Sequence, residues 1–279
     1  MTTQELFYSD RSERGKLSFS GPQRAWFMHQ VLTQAFEDIA PGEARDAAMI
    51  TAHGRMIGYL EVIALEDRLL AHFEPVLRKT LPEALARYVF ATRVAIDDVT
   101  EKWGLVIVGG RGYDAVNVSD VIVHPTSCLG PPAAYLWVPR GRVSEVVAAV
   151  ESAGARRADE PELERIRVTH GVPRWGHDMD AKSFPQETGI DDLAVHYDKG
   201  CYLGQEAMAK IRFRGKVNRR LRRLQCSRSP QPGADVVLGE EKVGRVTSAA
   251  DGCALALLRH TVTEGARVVA GGIEATVVA

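Results

Sequence analysis

The four cysteines, at positions 128, 201, 226 and 253, lie far apart, with no C-x-x-C pair and no ligand spacing shared with the eight histidines. That pattern encodes no dedicated zinc or cluster site. Few cysteines, and a start, Met1–Glu5, with neither basic residues nor an apolar run, predict a reducing, cytoplasmic setting. No apolar segment approaches bilayer length, so no membrane partner is expected. Neither sign of charge dominates: 35 basic against 36 acidic residues give a net charge of −1. Global polyelectrolyte attraction to nucleic acid is thereby excluded, though a local basic patch is not. Gly109-Gly110-Arg111-Gly112 has neither the spacing of a dinucleotide fingerprint nor the lysine of a P-loop and reads as a turn. No tandem repeat or low-complexity stretch is present.

What is present is an ordinary globular composition, 45% hydrophobic and 25% charged, long enough for one large or two modest domains. Lys16–Phe19 reads as a strand. Ser20 reads as a helix N-cap, with Pro22 and Gln23 completing a capping-box pattern and Trp26, Phe27 and Val31 on an apolar face. Ala47–Thr51 and Met56–Leu65 are strand-like about a turn at His53-Gly54-Arg55, and Arg68–Phe73 continues the sheet. A helix from about Pro75 to Phe90, broken near Pro82, and strands at Val94–Val99 and Gly104–Val108 complete a first α+β unit. A second similar unit takes strands Val121–His124 and Ala134–Val138, a helix Val143–Ala153 stopped at Gly154, and a helix Pro161–Thr169. Residues 171–199 show little periodicity, a feature more often functional than idle in a compact protein. From about Leu221, short β-like runs between Gly and Pro (236–238, 242–247, 254–258, 267–269 and 275–278) predict a small antiparallel barrel. The predicted division is residues 1–220 and 221–279.

The stretch Lys199-Gly200-Cys201-Tyr202-Leu203-Gly204-Gln205-Glu206 stands apart. Two glycines frame a cysteine and a tyrosine, and a lysine two places before the sulfur would favour thiolate if the side chains converge. The chemistry is that of an activatable thiol; the alternative is a buried small hydrophobe, the common fate of a free cysteine.

This string resembles the signature of the YgfZ family, folate-binding proteins related to the T-protein (aminomethyltransferase) of the glycine cleavage system. Other segments are similar too: Arg167–Asp178 to R-x-E-x-G-x-P-x-x-G-x-D, Pro185-Gln186-Glu187 to P-x-E, Gly21–Thr33 to the opening segment, Gly54-Arg55-Met56 to a G-R-M turn, and Val243–Ser248 to V-G-x-V-T-S. The resemblance implies an α+β fold of two ferredoxin-like portions around a central folate cavity, followed by a β-barrel. It implies tetrahydrofolate, or a derivative, as cofactor. Glu187 would hold the pterin edge by charge-assisted bonds, with Gln186, Arg167, Tyr202, Gln205 and Glu206 in the cofactor site. Tyr202, Trp175 and Trp26 are the aromatic residues available to stack on the pterin. Cys201 would be the reactive residue, framed by Lys199, Gly200 and Gly204, and iron–sulfur client or assembly proteins would be the partners.

Two departures count against a classical aminomethyl transfer. Thr169 falls where the family segment has an acid. After Gly54-Arg55-Met56 no carboxylate appears before Glu61, whose face on an alternating strand is not fixed by the spacing. Seven basic residues crowd the twelve from Arg212 to Arg223 (Arg212, Arg214, Lys216, Arg219, Arg220, Arg222 and Arg223): a solvated face, a site for the folate glutamate tail, or RNA phosphate contact. His170, His177 and His196 near the motif read as isolated residues rather than partners of Cys201. Three functions therefore stand: a tetrahydrofolate-binding accessory protein for iron–sulfur cluster assembly or repair, a folate-dependent aminomethyltransferase or demethylase, and an RNA-modification factor.

Overall fold

The computed structural model describes residues 5–215 and 217–278, so Met1–Gln4, Lys216 and Ala279 lie outside it, as does the Arg214 side chain. In chain order the strands β1 (Phe7–Asp10) and β2 (Gly15–Ser20) lead to α1 (Arg24–Val31). Strands β3 (Ala44–Ile50), β4 (Met56–Ala64) and β5 (Arg68–Phe73) precede α2 (Thr80–Ala86), β6 (Ala95–Asp98) and β7 (Trp103–Gly109). Then come β8 (Ile122–Thr126), β9 (Ala133–Pro139), α3 (Val143–Ser152), β10 (Arg156–Arg157) and α4 (Glu160–Thr169). Two single-turn helices, α5 (Pro185–Thr188) and α6 (Asp191–Ala194), lead to α7 (Gln205–Arg214). The chain ends in β11 (Arg219–Cys226), β12 (Asp235–Leu238), β13 (Glu241–Ala250), β14 (Cys253–Arg259), β15 (Arg267–Ala270) and β16 (Ile273–Val278).

These elements form a mixed α+β body of two five-stranded sheets and a closed six-stranded antiparallel barrel. The first sheet runs β3-β4-β5-β2-β6; the second runs β10-β1-β7-β9-β8; the barrel runs β11-β14-β13-β12-β15-β16 and closes through β11–β16 pairing. The two sheets are not consecutive units as the sequence suggested. β1 pairs with β7 and β10, and β7 pairs with β9, so the N-terminal strand and the strand at 103–109 both belong to the second sheet.

Alternation along each strand decides what the two sheets share. In β7, Leu105 and Ile107 face a core common to both sheets, whereas Val106 and Val108 face a separate outer core with Val146 and Val150 of α3. In β9, Tyr135 and Trp137 point inward and Leu136 and Val138 outward. From the first sheet, Ile63 and Leu70 join the shared core, while Leu60, Val62, Leu69 and Ala71 pack outward with α1 and α2. Both sheets are thus covered on both faces, which explains their near-continuous apolar runs.

Several local expectations change. Ser20 ends β2 and caps nothing; Gln23 is the N-cap of α1 without a side-chain cap bond, and its side-chain Oε1 accepts the Arg93 backbone amide at 2.7 Å. Trp26 is 42% exposed, so the buried face of α1 is Phe27, Met28 and Val31. The predicted helix over 75–90 is one 3₁₀ turn, Pro75–Leu77, followed by α2 alone. The irregular stretch ends in α7, a helix the sequence reading did not place.

Candidate functional site

The shared interior holds three neighbouring cavities. The innermost, ≈ 70 Å³, lies between β4, β7 and β9 under α4, and takes in Arg14, Tyr59, Glu61, Glu74, Cys128, Arg174 and Trp175. A second, ≈ 360 Å³, is reached past Tyr59 and Cys128 and is bounded by Asp46, Val172 and Thr188–Ile190. A third, ≈ 560 Å³, opens beside Asp46, Arg45, Ser127 and Leu193. The three form one groove with a wide mouth and a narrow charged end.

Strand alternation builds that end. Tyr59 and Glu61, two apart on β4, both face inward, and Asp46 of β3 is the direct cross-strand partner of Glu61. The Tyr59 hydroxyl donates to Asp46 Oδ2 at 2.7 Å. Glu61 is buried; Thr126 donates to it at 2.6 Å and Arg14 at 3.2 Å. Two carboxylates side by side, Glu61 buried and Asp46 half-buried, resist joint ionisation. Burial, then Asp46, pushes Glu61 up to about 7, and burial raises Asp46 as well. Arg14 also donates Nε–H to His72 Nδ1 at 2.9 Å and Nη1–H to Glu74 at 2.6 Å. His72 and His124 are buried beside it, their ring centroids 5.0 Å apart. Glu61, His72 and His124 cluster closely enough to hold a metal ion, but the Arg14 guanidinium already supplies the cation between Glu61 and His72. Arg174 crosses the narrow end, paired with Glu74, Glu160 and Glu164.

The residues singled out from the sequence lie elsewhere, with two exceptions. Trp175 lines the innermost cavity. Arg167 lines it too, but its guanidinium is engaged on every side, donating to Glu164, Asp178, the Val172 carbonyl and Ser248. Arg167 is a buried junction between α4, the 172–178 loop and barrel strand β13, and it has no donor left for a cofactor. Glu187 borders none of the three cavities. Its carboxylate caps α5 by accepting the Phe184 amide at 3.0 Å and pairs with Arg219 of β11 at 3.1 Å, with Arg55 at 3.7 Å. A carboxylate matched in this way joins α5 to the barrel, and a pterin would have to break those bonds to use it. Gln186 donates to Tyr197 at 3.2 Å, in the packing between α5 and α7.

The cysteine motif forms a loop at the end of α1 and the start of α7. Cys201 is exposed, and it lines none of the three cavities. Tyr202 is buried in the outer core of the first sheet. Gly204 sits at φ +81°, and a Cβ there would lie 2.4 Å from the Thr51 carbonyl oxygen, so only glycine fits. Gly200 meets no such limit. Gln205 donates to the Lys199 carbonyl at 3.4 Å, and Glu206 is exposed in the first turn of α7. Lys199 is turned away into the protein, its ammonium bonded to backbone carbonyls of residues 29–34. Burial pushes Cys128 up to about 12 and Cys226 up to about 11.

The basic run does not make one stripe. Arg212 stacks on Tyr197, 3.8 Å from the ring centroid. On β11, Arg219 pairs with Glu187 and Arg223 donates to the Thr169 carbonyl, while Arg220 and Arg222 take the opposite face of the strand.

Comparison with known proteins agrees with this architecture. Residues 218–279 match the model of the CAF17 C-terminal beta-barrel domain. A chloroplastic protein of Arabidopsis thaliana that bears a transferase name is 27% identical over 86% of this chain; the chain spans only 60% of that relative's length. The tRNA-modifying protein YgfZ of Klebsiella pneumoniae is 25% identical over 79% of this chain and 72% of its own. The aminomethyltransferase T of the glycine cleavage system from Bartonella henselae superposes with a TM-score of 0.88 at 15% identity, over 99% of this chain and 86% of its own, which shows the shared fold. Among the described residues no helix is long and apolar enough to cross a membrane. The chain is thus similar to the CAF17 barrel domain over its C-terminal residues, to YgfZ-named proteins over most of its sequence, and to a glycine-cleavage aminomethyltransferase in its whole fold.

Proposed function

We propose that this chain is a tetrahydrofolate-binding accessory protein, acting in a reducing compartment such as the cytoplasm and supporting iron–sulfur cluster assembly or repair through Cys201. The observation that carries the folate reading is the groove between the sheets, with Asp46 along its outer parts and Glu61 at its inner end. A pterin presents a flat ring with an edge of N–H donors. The groove offers room of 360 and 560 Å³ in its two outer parts, both lined by Asp46, with the Tyr59 ring between the second and innermost parts and Glu61 and Trp175 in the innermost. In this reading Asp46 takes over the pterin-holding role assigned to Glu187 from the sequence. The bound folate would supply a one-carbon carrier at the groove, while Asp46 and Glu61 orient its ring and hold or release a proton there.

Cys201 supports the second half of the proposal because it is exposed and separate from the groove. A thiol used for exchange or transient ligation must be reachable by a partner protein, and Cys201 alone of the four cysteines is exposed.

One set of titrations tests both halves. Calorimetry with tetrahydrofolate should show Asp46→Asn weakened about tenfold or more, the loss of one charged hydrogen-bond acceptor. Cys201→Ser should keep wild-type affinity yet fail to restore iron–sulfur enzyme activity in cells lacking the protein. Undiminished affinity in Asp46→Asn removes the groove assignment; full complementation by Cys201→Ser removes the thiol.

A folate-dependent one-carbon transferase or demethylase is the second reading, favoured by the carboxylate pair facing the groove. Formaldehyde or methylene-tetrahydrofolate formed from methylamine-type substrates would establish it. The RNA reading draws less support, because the basic run divides between two elements and two strand faces.

A further inference from the structure

We infer that Lys199 is a positioning residue, which ties the cysteine loop to the C-terminal end of α1 and does not act on the Cys201 sulfur. The inference rests on the reading of Cys201 as the functional thiol, and it replaces the sequence-level expectation that Lys199 stabilises a thiolate.

The geometry points one way. Lys199 is 8% exposed. Its Nζ donates to the carbonyl oxygens of His29 at 2.5 Å, Leu32 at 2.6 Å and Gln34 at 2.8 Å. An ammonium has three N–H donors, and here each has its own acceptor, so none remains for Sγ. The acceptors also explain the choice of a cation. α1 ends at Val31 with Leu32 as C-cap, and the last carbonyls of a helix lack intrahelical partners and carry the negative end of its dipole. The Tyr202 ring, 4.5 Å from Nζ, covers the ammonium on another side.

Neighbouring bonds show what the tie holds in register. The Leu203 amide donates to the Gln30 carbonyl at 3.4 Å and the His196 amide to the Thr33 carbonyl at 3.0 Å. The Thr33 hydroxyl reaches the Ala194 carbonyl at 2.5 Å, and Gln34 Nε2 reaches the Leu193 carbonyl at 2.8 Å. Residues 193–203 are thus laid along the segment that follows α1, with Lys199 as the one buried charge in the seam. Gly200 and Cys201, directly after the lysine, are the exposed crest of the loop.

The test separates positioning from activation. Lys199→Met keeps the length of the side chain and removes the ammonium. Two quantities are read by mass spectrometry on the full chain: the iodoacetamide alkylation rate of Cys201 against pH, and hydrogen exchange across residues 193–206. Positioning leaves the pH midpoint of alkylation where it is in the wild type and speeds exchange of the Leu203 and His196 amides about tenfold or more. Activation raises the midpoint by about one pH unit and leaves exchange unchanged, and that result overturns the inference. Should Lys199→Met fail to fold, acetylation of the wild-type protein decides: Lys199 should resist a lysine-acylating reagent under conditions that label Lys182 and Lys210, and labelling of all three at equal rates overturns the inference. Neither readout involves folate or a client protein, so failure of the wider functional reading would be seen separately.

Discussion

His124 and Glu61, a few ångströms apart in the shared interior, respond to acid in opposite senses. Burial, and then the Arg14 charge, pushes His124 down to about 3. Between pH 6.5 and 3 the unfolded chain binds a proton that the folded site refuses, so stability from this residue is complete above pH 6.5 and is lost as the pH falls. Glu61, raised to about 7, keeps its proton in the fold over the range in which the unfolded carboxyl gives it up. Its contribution is therefore complete below pH 4.5 and is lost as the pH rises towards 7. Urea melts from pH 4 to 7 should show His124→Gln, which keeps an acceptor for the Trp137 indole N–H, with an acid limb flatter than wild type by up to about 1.4 kcal/mol per pH unit. Glu61→Gln should steepen the same limb. An identical pH dependence in wild type and His124→Gln would mean that the imidazole is not held neutral by burial. The inward face of β4 was readable in part: Tyr59 and Glu61 alternate with Leu60 and Val62, which is the pattern of a strand with a polar inner face. What the spacing could not say is that Asp46, fifteen residues before Glu61, stands opposite it on the neighbouring strand and accepts from the Tyr59 hydroxyl.

At the scale of elements, the motif is a loop-to-helix junction fixed by one glycine. α7 starts only because Gly204 adopts φ +81° within 2.4 Å, measured from an added Cβ, of the Thr51 carbonyl. Gly204→Ala combines a left-handed backbone with a clash against backbone atoms that cannot move aside. It should destabilise the protein by about 1–3 kcal/mol, whereas Gly200→Ala, with open space around it, should stay within about 0.5 kcal/mol of wild type. Thermal melts of the two variants side by side make the comparison; equal losses would show that the motif glycines serve something other than backbone geometry. Most strands were legible because their alternation and turn residues are local. α7 was hidden because its sequence, Gln205–Arg214, has no clear apolar stripe; among its described side chains Met208 is the one fully buried. The basic run was misread as a unit for the same reason: its first residues belong to that unrecognised helix and its last to β11.

Over the whole molecule, the barrel is joined to the sheets by buried charge. Arg167 of α4 reaches Asp178 at 2.6 Å and Ser248 of β13 at 2.7 Å, and Asp178 accepts from Ser248 at 2.8 Å. Glu187 with Arg219 forms a second contact. Arg167→Met leaves the Asp178 carboxylate buried without its partner, which costs about 3–5 kcal/mol. Calorimetry should then resolve the barrel from the sheets as a separate transition; a single unshifted transition would show that the apolar contacts between α4 and the barrel suffice. The resemblance in the sequence located Arg167 and Asp178 as special residues but not their purpose, since their partners in β13 lie some seventy positions downstream.

The place of β1 in the second sheet bears on how the chain folds as it leaves the ribosome. Every strand of the first sheet has been made by residue 98, and its strands can pair while the rest is still being synthesised. β1 precedes all of them, yet its neighbours are β7 at 103–109 and β10 at 156–157. Residues 7–10 must therefore wait, unpaired, until the chain has grown some hundred residues longer. Such long-range closure is slow, and until it occurs the core shared by the two sheets lacks Phe7. The shared core is thus completed only when β1 closes on β7 and β10.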